Sequence, residues 1–167
     1  MNNLVTIANF VGDRFIPNLS KYETEFNTNY IAPYQKDVLI KLLGFDLYLQ
    51  FEAGLSVETP EQKWIDLCDG STYQVNGINK QNAGVKDIIA YYVYCKWVSA
   101  NFEELSGHGV INTTTENAEK ISPENKITSA WNNMLNYYYL TYNFIIENET
   151  DYPNFDFTVL NMMTYGF

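Results

Sequence analysis

Residues 84–105 decide the fold: Gly84-Val85-Lys86-Asp87-Ile88-Ile89-Ala90-Tyr91-Tyr92-Val93-Tyr94-Cys95-Lys96-Trp97-Val98-Ser99-Ala100-Asn101-Phe102-Glu103-Glu104-Leu105. Val85, Ile88, Ile89, Tyr92, Cys95 and Phe102 fall on one helical face, and Ala90, Tyr91, Tyr94, Trp97, Val98 and Leu105 on a second. A helix that is apolar nearly all round is either central to a bundle or shared with another subunit. Gly107 is placed to end it. The stretch from Gly107 to Ile121 is a long polar excursion around the sole histidine, His108, and loops of this length are usually functional. A last helix follows, with Ser122 as its cap and Pro123 in its first position. Its stripe is Ile127, Trp131, Met134, Leu135, Tyr138, Tyr142 and Ile145.

Upstream, Tyr73 to Lys80 carries Asn76-Gly77 between alternating residues, the signature of a two-residue hairpin whose turn needs positive φ twice. Two short strands are not stable alone, so the hairpin must lean on helices. Before it, Thr59, Pro60 and Gln62 form a capping signature for a helix with Trp64, Ile65, Leu67 and Cys68 inward, ending at Gly70. A further helix is predicted from about Asn29 to Leu43, with Pro33 tolerable only in its first turn and Gly44 as its stop. Phe45 is expected to fold back against that end, and a short apolar helix runs from Phe45 to just before Gly54. The expectation is an all-α bundle of four to five helices with one small β-hairpin: residues 1–20 an N-terminal arm or edge strand, 21–149 the helical domain, 150–167 a C-terminal arm.

Charge and chemistry narrow the function. The 167 residues carry a net charge of −10, with Arg14 as the one arginine and no basic run, so a tight grip on nucleic-acid phosphates is not expected. Aromatic residues make up 16% of the chain, an excess that fits either an interface rich in Tyr or an AT-rich coding bias. Cys68 and Cys95 stand in helical patterns with no CxxC, and read as buried reduced thiols. No apolar run reaches the length of a membrane span, and the first residues lack the pattern of a signal peptide. His108 has no fixed partner in sequence, there is no zinc-ligand spacing, and Asp66-Leu67-Cys68-Asp69-Gly70 lacks the later ligands of a calcium loop. The acidic clusters Glu103-Glu104 and Glu147, Glu149, Asp151 read as solvated faces. No metal, cofactor or catalytic residue is expected, and the chain is read as a non-enzyme.

One run of residues adds a family. Tyr30-Ile31, Gln35, Leu39 and Leu42-Leu43-Gly44-Phe45-Asp46-Leu47-Tyr48 resemble the opening helix pair of bacteriophage head-to-tail connector (adaptor, or head-completion) proteins, nearest those of crAss-like phages of Bacteroidetes. The Trp64-to-Tyr73 segment with its hairpin, the Gly84-Val85-Lys86 to Tyr94 helix and the Gly107-His108-Gly109-Val110 loop then follow in the family's order. The resemblance spans about Asn29 to Ile146. It implies a virion protein at the portal vertex, assembled in the host cytoplasm. Its subunits would pack into a ring, typically dodecameric, beneath the portal protein. The ring would extend the channel through which genomic DNA passes without specific binding, and would dock further tail or connector proteins. The arms exceed the family's core. The tail rings Tyr152, Phe155 and Phe157 have no period that buries them, so they are expected to anchor on a neighbouring subunit or partner, the alternative being a tail packed on its own subunit. The loop residues His108, Val110 and Ile111 are expected to contact another ring component. A different class, a monomeric helical module or regulator with a groove for a partner, also fits the exposed apolar helix faces the pattern predicts.

Overall fold

A computed structural model describes residues 3–107 and 123–156 of the chain. As predicted, the fold is all-α: five helical rods and one two-stranded antiparallel hairpin. The rods are Glu23–Phe26 (α1) running through a π-helical turn, Asn27–Ile31, into Ala32–Leu43 (α2); Phe45–Leu55 (α3); Gln62–Asp69 (α4); Val85–Gly107 (α5); and Pro123–Glu147 (α6).

Helix α5 is the axis of the molecule. From Val85 to Cys95 the rings and branched side chains on every face are buried within the chain, so over this stretch the all-round apolar pattern marks a central helix. Helix α6 lies antiparallel to it: Thr141 Oγ1 donates to the Gly84 carbonyl, Tyr91 stacks on Tyr137 at 5.7 Å, Tyr92 meets Trp131 at 6.2 Å, and Cys95 Sγ lies 3.9 Å from the Ile127 carbonyl. Helix α2 packs on another side through Tyr34 and Tyr92, 6.3 Å apart. Most aromatic residues are consumed in this interior. One series of rings runs Phe10, Phe26, Tyr30, Tyr34, Tyr92, Trp131, and another Phe51, Trp64, Tyr152, Phe144, Tyr73.

The hairpin, Ser71–Val75 (β1) and Ile78–Asn82 (β2), pairs Val75 with Ile78 around Asn76 (φ 51°) and Gly77 (φ 78°), the double positive φ its sequence demands. It leans on α6 through Tyr73 against Phe144 and a Lys80–Glu147 ion pair of 3.0 Å. At its base the Asn82 side chain donates to the Asp66 carbonyl and accepts from Gly84 N–H, tying the end of α4 to the start of α5.

Several local expectations are corrected. Pro33 stands in the first turn of α2 as expected, but α2 continues a rod that already begins at Glu23; the π turn just upstream, with Ala32 N–H donating to the Asn27 carbonyl, opens the spacing where a proline ring would crowd the preceding turn. Gly44 ends α2 with φ 77°, but Phe45 turns outward, 57% exposed, because Gly44 also starts α3 and leaves no loop in which to fold back. Gly54 lies inside α3 and does not stop it; a Cβ there would collide with the Trp64 indole. Helix α4 starts at Gln62 with Glu61 as an extended cap and no role for Thr59: Glu61's carbonyl takes the N–H groups of Trp64 and Ile65.

Neither expected arm is free where it is described. The N-terminal stretch is not an edge strand but three 3₁₀ turns, Ile7–Asn9, Gly12–Arg14 and Leu19–Lys21, with Val5, Phe10, Ile16 and Leu19 inserted among the helices and Leu4 N–H bonded to Gln35 Oε1 at 2.7 Å. At the other end Tyr152 is 1% exposed, wedged between Trp64 and Phe144, and its hydroxyl donates to the Lys63 carbonyl at 2.7 Å; Phe155 is buried against Tyr142. The reading of these two rings as anchors on a neighbour is therefore overturned: the cleft between α4 and α6 offers each of them burial within the same chain. The expected cap Ser122, the loop residues His108, Val110 and Ile111, and the third tail anchor Phe157 lie outside the described residues.

Candidate interaction surface

The turn Val11-Gly12-Asp13-Arg14-Phe15 is held to the helical core by a dense set of polar contacts. Gly12 takes φ 65°, and the turn it makes lays Asp13, still exposed, and the half-buried Arg14 against the helices. Asp13 accepts from the Tyr91 hydroxyl at 2.9 Å and from Asn133 Nδ2 at 2.8 Å, bridging α5 and α6. Arg14 pairs with Asp87 at 2.5 Å, donates to the Asn9 carbonyl at 2.8 Å, and lies over the Tyr91 ring at 4.5 Å. Burial, and then the hydrogen bond to the Asp13 carboxylate, push the Tyr91 phenol up to about 12. With the charged pair laid against the helices, the flanking Val11 and Phe15 turn out; Phe15 is 60% exposed and borders a recess with Tyr94, Lys126 and Ser129. Val11 and Phe15 stand on a turn that four partner residues hold in place, so docking costs it little further ordering.

A second apolar patch lies at another level. Phe45 and Leu49, one turn apart on α3, are both exposed. A Cβ on Gly44 would meet Asp156 Cβ at 2.7 Å, and the neighbouring Phe155 rests on Tyr142. The first patch borders Ala130 of α6 through Phe15, whereas the second stands on α3, beside the approach of Gly44 to Asp156. The molecule thus presents two unlike apolar surfaces.

Its ionisable clusters are built for cohesion. Lys41 Nζ lies 2.6 Å from Asp37 Oδ2 and 3.0 Å from the Tyr92 hydroxyl, which donates to the same carboxylate oxygen. Burial alone would raise the Asp37 carboxyl and lower the Lys41 ammonium. The hydrogen bonds among the three groups outweigh it, leaving Asp37 below and Lys41 above their ordinary values. Burial drives both thiols, Cys68 and Cys95, to about 12, so neither is a thiolate at neutral pH. Among the described residues no group of three or more His, Cys, Asp or Glu could hold a metal ion, and no helix is long and apolar enough to cross a membrane.

Sequence reasoning found neither patch. A residue pair such as Val11 and Phe15 around a glycine turn has no period to betray it. In α3, the crowding of apolar residues was a usable signal, because a helix at the edge of a bundle cannot bury every face.

No protein-family model matches the chain, and comparison with curated proteins and with solved structures likewise gives no match.

Proposed function

We propose that this chain is a structural subunit of a bacteriophage head-to-tail connector, packing side by side with its copies in a ring below the portal, extending the DNA channel and docking tail components. The observation that carries the reading is the pair of separate apolar patches, Val11 with Phe15 on the N-terminal turn and Phe45 with Leu49 on α3. A ring of more than two copies closes through a heterologous interface, in which one surface of each subunit meets a different surface of the next. The order of sequence landmarks resembling connector proteins supports the same reading. So does a charge of −10 with one arginine, already paired, which suits a conduit that DNA slides through and not one that clamps it.

Native mass spectrometry and electron-microscopic imaging of the purified protein, alone and mixed with portal protein, test this. Rings, formed alone or on the portal, are the expected result, with Phe15→Ser or Phe45→Ser blocking assembly while leaving the melting temperature unchanged. A protein that stays monomeric in both settings favours the second reading, a monomeric helical binding module. Sub-micromolar affinity for duplex DNA at physiological salt would also count against a conduit.

A further inference from the structure

A groove of about 370 Å³ opens between the N-terminal turns, α1 and α5. Its walls include Tyr22, Phe26, Tyr30 and Trp97, with Glu25 and Asn29 at the rim. The aromatic wall is rigid. Phe26 is buried, with Phe10 edge-on at 4.9 Å, and Tyr30 stacks on it at 5.5 Å and 24°. The volume falls within the range of sites for small groups and single side chains.

Elsewhere in the molecule several ring faces are met by the chain's own cations: Arg14 on Tyr91, Lys63 on Trp64, and Lys41 and Lys96 on Tyr92, at 4.5 to 5.5 Å. The groove has rings and a carboxylate but, among the described residues, no basic residue in its lining. Its chemistry is complementary to a planar cation that stacks on rings and pairs with a carboxylate, which describes guanidinium better than ammonium, since guanidinium is flat and weakly hydrated. The cation does not come from a second copy of this chain. Arg14 is its one arginine, and that side chain is 13% exposed and committed to Asp87.

We propose that this groove receives an arginine side chain of a partner protein, stacked on Tyr22, Tyr30 or Trp97 and paired with Glu25. The proposal stands whether or not the chain forms a ring. It is tested on the full-length protein by NMR titration with a capped Gly-Arg-Gly peptide and, in parallel, a capped Gly-citrulline-Gly peptide, which keeps the shape and removes the charge. The Trp97 indole N–H, identified by its loss in Trp97→Phe, is the reporter. Saturable shifts at Trp97 and Asn29 with the arginine peptide are expected, together with much weaker binding of citrulline. Tyr22→Ala and Glu25→Gln should each weaken the arginine peptide roughly three- to tenfold. Tyr22 is 59% exposed and Glu25 is exposed, so both variants keep the fold, which an unchanged spectrum elsewhere verifies. Equal binding of the two peptides, no saturable shift at Trp97, or shifts spread over the acidic surface and insensitive to both substitutions would overturn the assignment.

Discussion

Gly54 sits in the last turn of α3, where alanine is intrinsically better by up to about 1 kcal/mol. Yet its missing side chain is the space the Trp64 indole occupies, at the start of the ring series through Tyr152. Packing therefore outweighs propensity. Gly54→Ala is expected to destabilise the protein by about 1–3 kcal/mol net, read as a lower urea midpoint at unchanged m-value; a stabilised variant would mean that the helices part easily. At the same scale, Cys68, Cys95, Tyr91 and Tyr92 hold their protons up to about 12, chiefly because burial disfavours the charged forms. The unfolded chain releases its thiol protons near pH 9 and its phenol protons near pH 10. Between those values and about pH 12 the folded state binds more protons, so stability is complete below about pH 9 and falls as pH rises from there. Melting temperatures measured between pH 7 and 11 should be flat at first and then drop with increasing slope. Cys95→Ala should make the drop shallower while Cys68 keeps its onset near pH 9, and a flat profile to pH 11 would contradict the buried state of these groups.

Among the elements, the hairpin was fully legible, because its turn is dictated by two residues and nothing else. Gly77 has open space around it, so its substitution tests the backbone alone. Gly77→Ala, forced to φ near 78°, should cost about 1–2 kcal/mol, and Gly77→Asn clearly less, since asparagine tolerates that region; paired denaturant melts check the order. The cores of α5 and α6 were legible for a similar reason: Met134, Tyr138 and Ile145 on one stripe need only a period. Boundaries set by distant parts of the chain were not. Thr59 and Pro60 carry a strong local cap signal, but α4 begins two residues later, where Trp64 meets α3. The π turn before Pro33 has no sequence mark except the proline that makes it useful.

For the whole molecule, the hardest residues to place were aromatic ones without a period. Tyr152 and Phe155 follow the last helix in a segment that reads as a tail, and their rings had two homes available: a neighbour, or the cleft beside α4. Only the three-dimensional shape of that cleft decides, and it holds Tyr152 between Trp64 and Phe144. Tyr152→Ala should therefore lower the stability of the monomer by about 3–5 kcal/mol, and Tyr152→Phe by about 1 kcal/mol through the lost bond to Lys63. Both are read at a protein concentration where sedimentation shows a single subunit. An alanine variant that melts like the parent would restore the ring to an intermolecular role. The candidate surface was hidden for the converse reason: Val11, Phe15, Phe45 and Leu49 are apolar, and pattern reading assigns apolar residues to the interior by default.

The clasp on the N-terminal turn also orders events during synthesis. Leu4 can find Gln35 after some thirty residues have been made, but Asp13 must wait for Tyr91 and then Asn133, 78 and 120 positions later. Until α6 leaves the ribosome, the turn that presents Val11 and Phe15 is held by only part of its clasp. Nascent chains on neighbouring ribosomes of one message thus carry an incomplete version of this patch, and the finished surface arises only once α6 has been made.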